Sequence, residues 1–195
     1  MVRSGRRLAR AVRAGAGLAA ALYVIPGCHS KPAGDLKSLA TGEMKSLTVE
    51  AAPAPAPDTP FVDAAGKTHT LAEFKGKAVV LNLWATWCAP CVQEMPTLAK
   101  LAQATAGQPV VILPVSVDTD DDKANAQKFI ARAAPLPFYS DTKFALAYAF
   151  KPPASGMPTT FLIDASGNLR ARISGGADWS GPDAAKVVEA LEHGA

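Results

Sequence analysis

Two cysteines three positions apart, Cys88 and Cys91, are the residues of this 195-residue chain best suited to chemistry. Sulfur at that spacing ligates a metal, closes a small structural disulfide, or exchanges electrons through a reversible one. A structural zinc site needs four ligands; here the only other cysteine is Cys28, and His29, His69 and His193 are scattered. A disulfide closing so short a loop removes little unfolded-state entropy and stabilises weakly. Redox exchange is therefore expected, with no metal and no cofactor beyond the Cys88–Cys91 disulfide itself.

The surrounding residues show how such a pair would be held. Ala78 to Leu83 is apolar except for Asn82, long enough for a strand buried on both faces. Val92, Met95, Leu98 and Leu101 then recur at helical spacing, which places Cys91 inside a helix and Cys88 at its N-terminus. Unpaired N–H groups and the positive end of the helix dipole favour a thiolate there. Cys88 is thus predicted as the exposed attacking sulfur and Cys91 as the inner resolving thiol. Pro90 suits the first helical turn, where its missing N–H matters little. Pro96, deeper in, predicts a bend.

The string Phe74 to Leu98, FKGKAVVLNLWATWCAPCVQEMPTL, resembles membrane-tethered bacterial thiol-disulfide oxidoreductases of the TlpA/ResA/CcmG type, TlpA-like members most closely. Trp87-Cys88-Ala89-Pro90-Cys91 after a buried strand is similar to the active site of the thioredoxin superfamily. The likeness runs from about Phe61 to His193. It implies a thioredoxin-like α/β fold, a central mixed sheet flanked by helices, with an N-terminal β-hairpin and a central insertion. Met157-Pro158-Thr159 before an apolar strand is similar to the superfamily's cis-proline signature, which implies that the backbone of Met157 faces the cysteines and can pair with a client strand. Where thioredoxins carry a buried aspartate this chain has Asn82, which cannot ionise. Glu94 shares a helix face with Cys91 at i, i+3, in the pattern C-x-x-C-x-x-E-x-P that the resembled group also carries. It is the expected proton relay for Cys91, and proximity to a buried thiol should raise both pKa values.

Five arginines, Arg3, Arg6, Arg7, Arg10 and Arg13, precede any acid and account for the net charge of +3. Setting them aside leaves 15 basic against 17 acidic residues, or −2, which excludes a nucleic-acid binder on charge grounds. They lead into a 12-residue apolar run, Ala14 to Ile25, as an export signal or short anchor would. Residues 1–27 are read as signal or membrane anchor, 28–60 as a short helix and proline-rich linker, and 61–195 as the thioredoxin-like domain. The positive-inside rule puts everything after Cys28 outside the cytoplasm. Ile25-Pro26-Gly27-Cys28 resembles a lipoprotein cleavage site, making Cys28 a candidate for lipidation; intermolecular pairing and a free thiol are the other states open to it. The resemblance to TlpA-like proteins implies a second disulfide from this region to the C-terminal half, but Asp164 to Asn168, where its partner would fall, contains no cysteine.

Along the chain, Asp35–Leu47 reads as a short helix and Ala51–Pro60, alternating proline, as a stiff spacer unable to join a sheet. Phe61–Leu71 reads as a hairpin about Gly66, with His69 on its surface and not a base. Strands are predicted at Lys77–Ala85, Gln108–Val117 and Leu136–Tyr139, and helices at Lys123–Ala134, Asp141–Phe150 and Ser180–Glu192. Asp118–Asp122 reads as helix capping, and Trp179 as packing beneath the last helix.

The implied activity is reduction of protein disulfides by the catalytic pair Cys88 and Cys91, supported by Trp87, Pro90, Glu94, Met157 and Pro158. The resemblance implies a bacterial inner-membrane location with the catalytic domain in the periplasm and a membrane thiol carrier as electron donor. It also implies clients among cytochrome oxidase copper-site proteins or apocytochrome c. Exported compartments are oxidising, so sustained reduction requires that donor. An oxidase, a thiol peroxidase and a non-catalytic copper chaperone are the competing readings; the last would want a longer cysteine spacing and a downstream histidine.

Overall fold

A computed structural model describes residues 35–194. The arginine-rich leader, its apolar run and Cys28 lie outside the described residues. Among those described, no helix is long and apolar enough to cross a membrane.

The strands are β1 (Leu47–Pro55), β2 (Phe61–Asp63), β3 (Thr68–His69), β4 (Ala78–Trp84), β5 (Val110–Ser116), β6 (Tyr139–Ser140), β7 (Thr159–Ile163) and β8 (Asn168–Ser174). The helices are α1 (Ala89–Ala104), α2 (Lys123–Ile130), α3 (Ala145–Ala149) and α4 (Pro182–Glu192). One mixed sheet runs in the order β1-β8-β7-β4-β5-β6-β2-β3. β4 lies at its centre, parallel to β5 and antiparallel to β7. A parallel pair needs a crossover, which α1 supplies. All seven residues of β4 are buried, as its unbroken apolar run requires. Ala78, Val80 and Trp84 face a core shared with α1, α2 and α4, while Val79, Leu81 and Leu83 face a second core beneath α3 and the β2–β3 hairpin.

The sheet extends further than the sequence suggests. The proline-rich stretch expected to stay out of any sheet is partly the edge strand β1, pairing Leu47–Val49 and Ala54–Pro55 with β8. An edge strand uses only one side of its backbone, so Pro53 and Pro55 are tolerated there. Between these pairs the register shifts, and residues 50–53 bulge opposite Arg170. The short helix expected over Asp35–Leu47 is two 3-10 turns, Leu36–Leu39 and Gly42–Met44, separated where Gly42 takes a φ of 52°. Leu36, Met44 and Leu47 join the α1–α4 core, so this segment packs on the domain.

Other elements are shorter than their periodicity implied. α2 stops at Ile130, β6 is two residues long, and α3 begins only at Ala145, after Phe144 in the left-handed region. Asp141 caps α3 by accepting from the N–H groups of Ala145 and Leu146, at 3.1 and 2.7 Å. His69 is buried, against the surface position expected. Its ring sits between Asp63 Oδ2 and Glu73 Oε2, at 3.0 and 2.9 Å, where two carboxylates offset its desolvation.

Candidate active site

Where β4 ends, the chain turns through Ala85–Trp87 and enters α1 at Cys88. Cys88 is the N-cap: its Sγ accepts from the N–H of Cys91 at 3.3 Å, and Pro90 occupies the first turn, as expected. The two cysteines are joined as a disulfide. Cys91 is 0% exposed and Cys88 6%. The order of access is the predicted one, but Cys88 is less exposed than expected.

The turn is fastened from β5. Asp118, fully buried, accepts from the Thr86 N–H at 3.0 and 3.1 Å and from the Thr86 hydroxyl; the Ser116 hydroxyl donates to it at 2.8 Å. This corrects the reading of Asp118 as part of a helix-capping run. Asp122 alone stands at the N-cap of α2, and it makes no side-chain capping bond. Asp118 follows a buried strand parallel to β4, so its carboxylate arrives where the neighbouring strand releases its turn.

Glu94 follows Cys91 by three residues in α1 and is 3% exposed. Its Oε1 accepts from the Trp179 indole N–H and from the Ala177 N–H at 3.2 Å, and its Oε2 accepts from Asn82 Nδ2 at 3.1 Å. Burial pushes its pKa up to about 6, while the bonds from Trp179, Ala177 and Asn82 hold it down against that push. Asn82 also donates to Thr160 Oγ1 at 2.9 Å, and its Oδ1 is buried without a partner among the described residues. Trp179 does pack beneath α4, fully buried, but its indole N–H serves Glu94 as well. No local pattern could have shown that, since the two residues stand 85 positions apart.

On the other side of Cys88 a groove of about 540 Å³ opens, lined by Trp87, Pro90, Phe144, Tyr148 and the loop Ala154–Met157. No lining residue is charged. Trp87 and Tyr148, 62% and 65% exposed, are the large hydrophobics left most open to solvent among the described residues. The Met157–Pro158 bond is cis, as the motif implied, and the backbone N–H and C=O of Met157 carry no hydrogen bond among the described residues. Phe144 and Tyr148 are not among the expected site residues; they fall in the stretch read only as a helix, Asp141–Phe150. The structure therefore brings Trp87, Cys88, Pro90 and Met157 to one groove, and buries Pro158, Cys91 and Glu94.

A central strand, a cysteine-capped helix and a cis-proline loop at one end of a mixed sheet define a thioredoxin-like redox protein. The Redoxin family matches residues 51–191. Thiol-disulfide oxidoreductase ResA of Geobacillus thermodenitrificans is 38% identical over 123 residues, which span 62% of this chain and 67% of that one. ResA of Bacillus subtilis is 34% identical over 121 residues, with 62% and 65% covered. Among solved structures, a thiol:disulfide interchange protein of the thioredoxin family from Chlorobium tepidum has a TM-score of 0.61 at 28% identity, covering 73% of this chain and 98% of its own. A secreted thiol-disulfide isomerase from Corynebacterium glutamicum has a TM-score of 0.65 at 25% identity, with 78% and 95% covered. The chain belongs to the Redoxin family, and within it is a thiol-disulfide oxidoreductase of the TlpA/ResA/CcmG type.

Proposed function

We propose that the protein works as a reductase of protein disulfides on the outer face of the bacterial inner membrane. One observation carries the reading: Cys88 lines an uncharged groove, while Cys91 is fully buried, three residues before a buried carboxyl on the same helix. The first can meet a client and the second can only meet the first.

In the reduced protein the Cys88 thiolate, favoured at the α1 N-terminus, attacks one sulfur of a client disulfide. A Cys88–client bond forms, and the other client sulfur leaves as a thiolate and takes a proton. The Cys91 thiol then gives its proton to the Glu94 carboxylate and attacks Cys88 Sγ, expelling the second client thiolate. Two electrons have passed to the client, and the protein is left with the Cys88–Cys91 disulfide described above. The unpaired backbone of Met157 offers an edge to which an extended client segment can bond beside Cys88.

The arginine-rich leader supports export, and the family resemblance supports a membrane thiol carrier as donor. It likewise supports clients among cytochrome oxidase copper-site proteins or apocytochrome c. Insulin reduction driven by dithiothreitol tests the chemistry. Wild type should be active, Cys88→Ala inactive, and Cys91→Ala should accumulate a mixed disulfide. Peroxide consumption or stoichiometric copper binding in place of insulin reduction would overturn the reading. Mixed disulfides trapped on the full-length Cys91→Ala protein in membranes identify the clients, and the mass of the native protein reports the state of Cys28.

A further inference from the structure

The groove wall formed by Ala154–Met157 belongs to a loop with little backbone hydrogen bonding of its own. Running from Phe150 to Met157, it contains Pro152 and Pro153, which have no N–H, and it is followed by Pro158. Among the described residues its one backbone bond to the rest of the fold is from the Ala154 N–H to Ala147 O, at 3.0 Å. The Thr159 hydroxyl adds a bond to Gly156 O at 2.7 Å. The carbonyls of Lys151 and Pro152 accept no backbone N–H among the described residues.

Arg172, on β8, donates to both. Its Nη1 donates to Pro152 O at 2.6 Å and its Nη2 to Lys151 O at 3.1 Å. The guanidinium is buried and lies 5.3 Å from the centroid of Phe161, which stacks on Phe150 at the head of the loop. A buried cation needs a counter-charge. Glu50 provides it, its Oε1 accepting from Nε at 2.8 Å and forming an ion pair with Nη2 at 2.7 Å. Glu50 opens the β1 bulge, where the register shift frees it from ladder pairing. Lysine could not replace this fork, having one nitrogen where Arg172 uses three.

We propose that Arg172 is a positioning residue for client binding, setting the wall of the groove and tying that wall through Glu50 to the edge strand β1. The segment leading in from the N-terminus thereby becomes part of the client-binding apparatus and not only a tether. This rests on the reading that the groove beside Cys88 receives the client. Neither residue touches the sulfurs, so their effect should fall on KM for a protein disulfide and not on kcat.

The test is insulin reduction by oxidised-and-recycled full-length protein carrying Arg172→Lys, Glu50→Ala, or both. Arg172→Lys should raise the insulin KM roughly tenfold, the size of one lost charge-assisted hydrogen bond, with kcat held. Glu50→Ala should move KM the same way by less. The double variant should be no worse than Arg172→Lys alone, because Glu50 acts through Arg172. An unchanged KM in folded Arg172→Lys, or a fall in kcat at constant KM, overturns the proposal. If Arg172→Lys does not fold, Glu50→Ala decides alone, and an unchanged KM again overturns it. Wild type failing to reduce insulin would count against the reductase reading instead.

Discussion

Replacing Glu94 with glutamine separates the charge of the buried carboxyl from its shape. The amide oxygen can still accept from Ala177 and Trp179, and Asn82, turned over, can present its unpartnered Oδ1 to the new NH2 group. The variant should therefore fold, with ionisation alone removed. Burial raises the Glu94 pKa from its ordinary 4.5 to about 6. At 1.36 kcal/mol per pKa unit that amounts to about 2 kcal/mol. Because the folded value is the higher, the folded protein binds more protons between the two, and stability falls as pH rises there. This contribution is complete below the unfolded pKa and lost as pH rises through about 6. The Glu94→Gln variant has no ionisation to lose and suffers no such fall. Urea unfolding of the oxidised proteins from about pH 4 to about pH 7 should show wild type losing about 2 kcal/mol relative to Glu94→Gln. Parallel stability curves across that range would refute the claim that the site holds a desolvated, titrating carboxyl.

The same substitution should slow resolution of the Cys88 mixed disulfide by about a hundredfold or more, as loss of a general base does, and rapid-quench release of an insulin chain reads it. Asp118→Ala leaves the Thr86 N–H without its acceptor; unfolding should cost about 2 kcal/mol less, and insulin turnover should fall as the turn before Cys88 loosens. The His69 pKa is raised, by Asp63 first and then Glu73, so the stability it adds is full below its unfolded pKa and lost as pH rises through the folded one. The stability difference between wild type and His69→Gln should accordingly shrink with rising pH in urea titrations; a constant difference would contradict the pairing. Tyr148→Asp places a charge in an uncharged groove and should raise the insulin KM several-fold, as an unpaired polar group in an apolar contact does, with the melting temperature unchanged.

Much of the site could be read locally because its chemistry depends on neighbours in sequence. A buried strand followed at once by a helix puts Cys88 at an N-cap, and i, i+3 spacing puts Glu94 on the side of Cys91. What could not be read involves partners distant in the chain. Asp118 looked like one acid among several, and only the parallel pairing of β5 with β4 carries it to Thr86. His69 looked like a hairpin surface residue until Asp63 and Glu73 closed on it. The proline-rich stretch misled because proline's cost in a sheet depends on whether the strand is central or at the edge, a property of the finished sheet.

By itself the sequence determined the chemistry: two sulfurs at one helix entrance, a carboxyl one turn further on, and a proline motif ahead of a strand. These follow from backbone periodicity and helix geometry, which act over a few residues. The tertiary structure decided how that chemistry is tuned and addressed. Burial raised the Glu94 pKa, Trp179 and Asn82 limited the rise, Phe144 and Tyr148 gave the groove its uncharged wall, and Arg172 with Glu50 braced the loop opposite. Desolvation and buried hydrogen bonds arise only when distant segments pack together, and no local spacing encodes them.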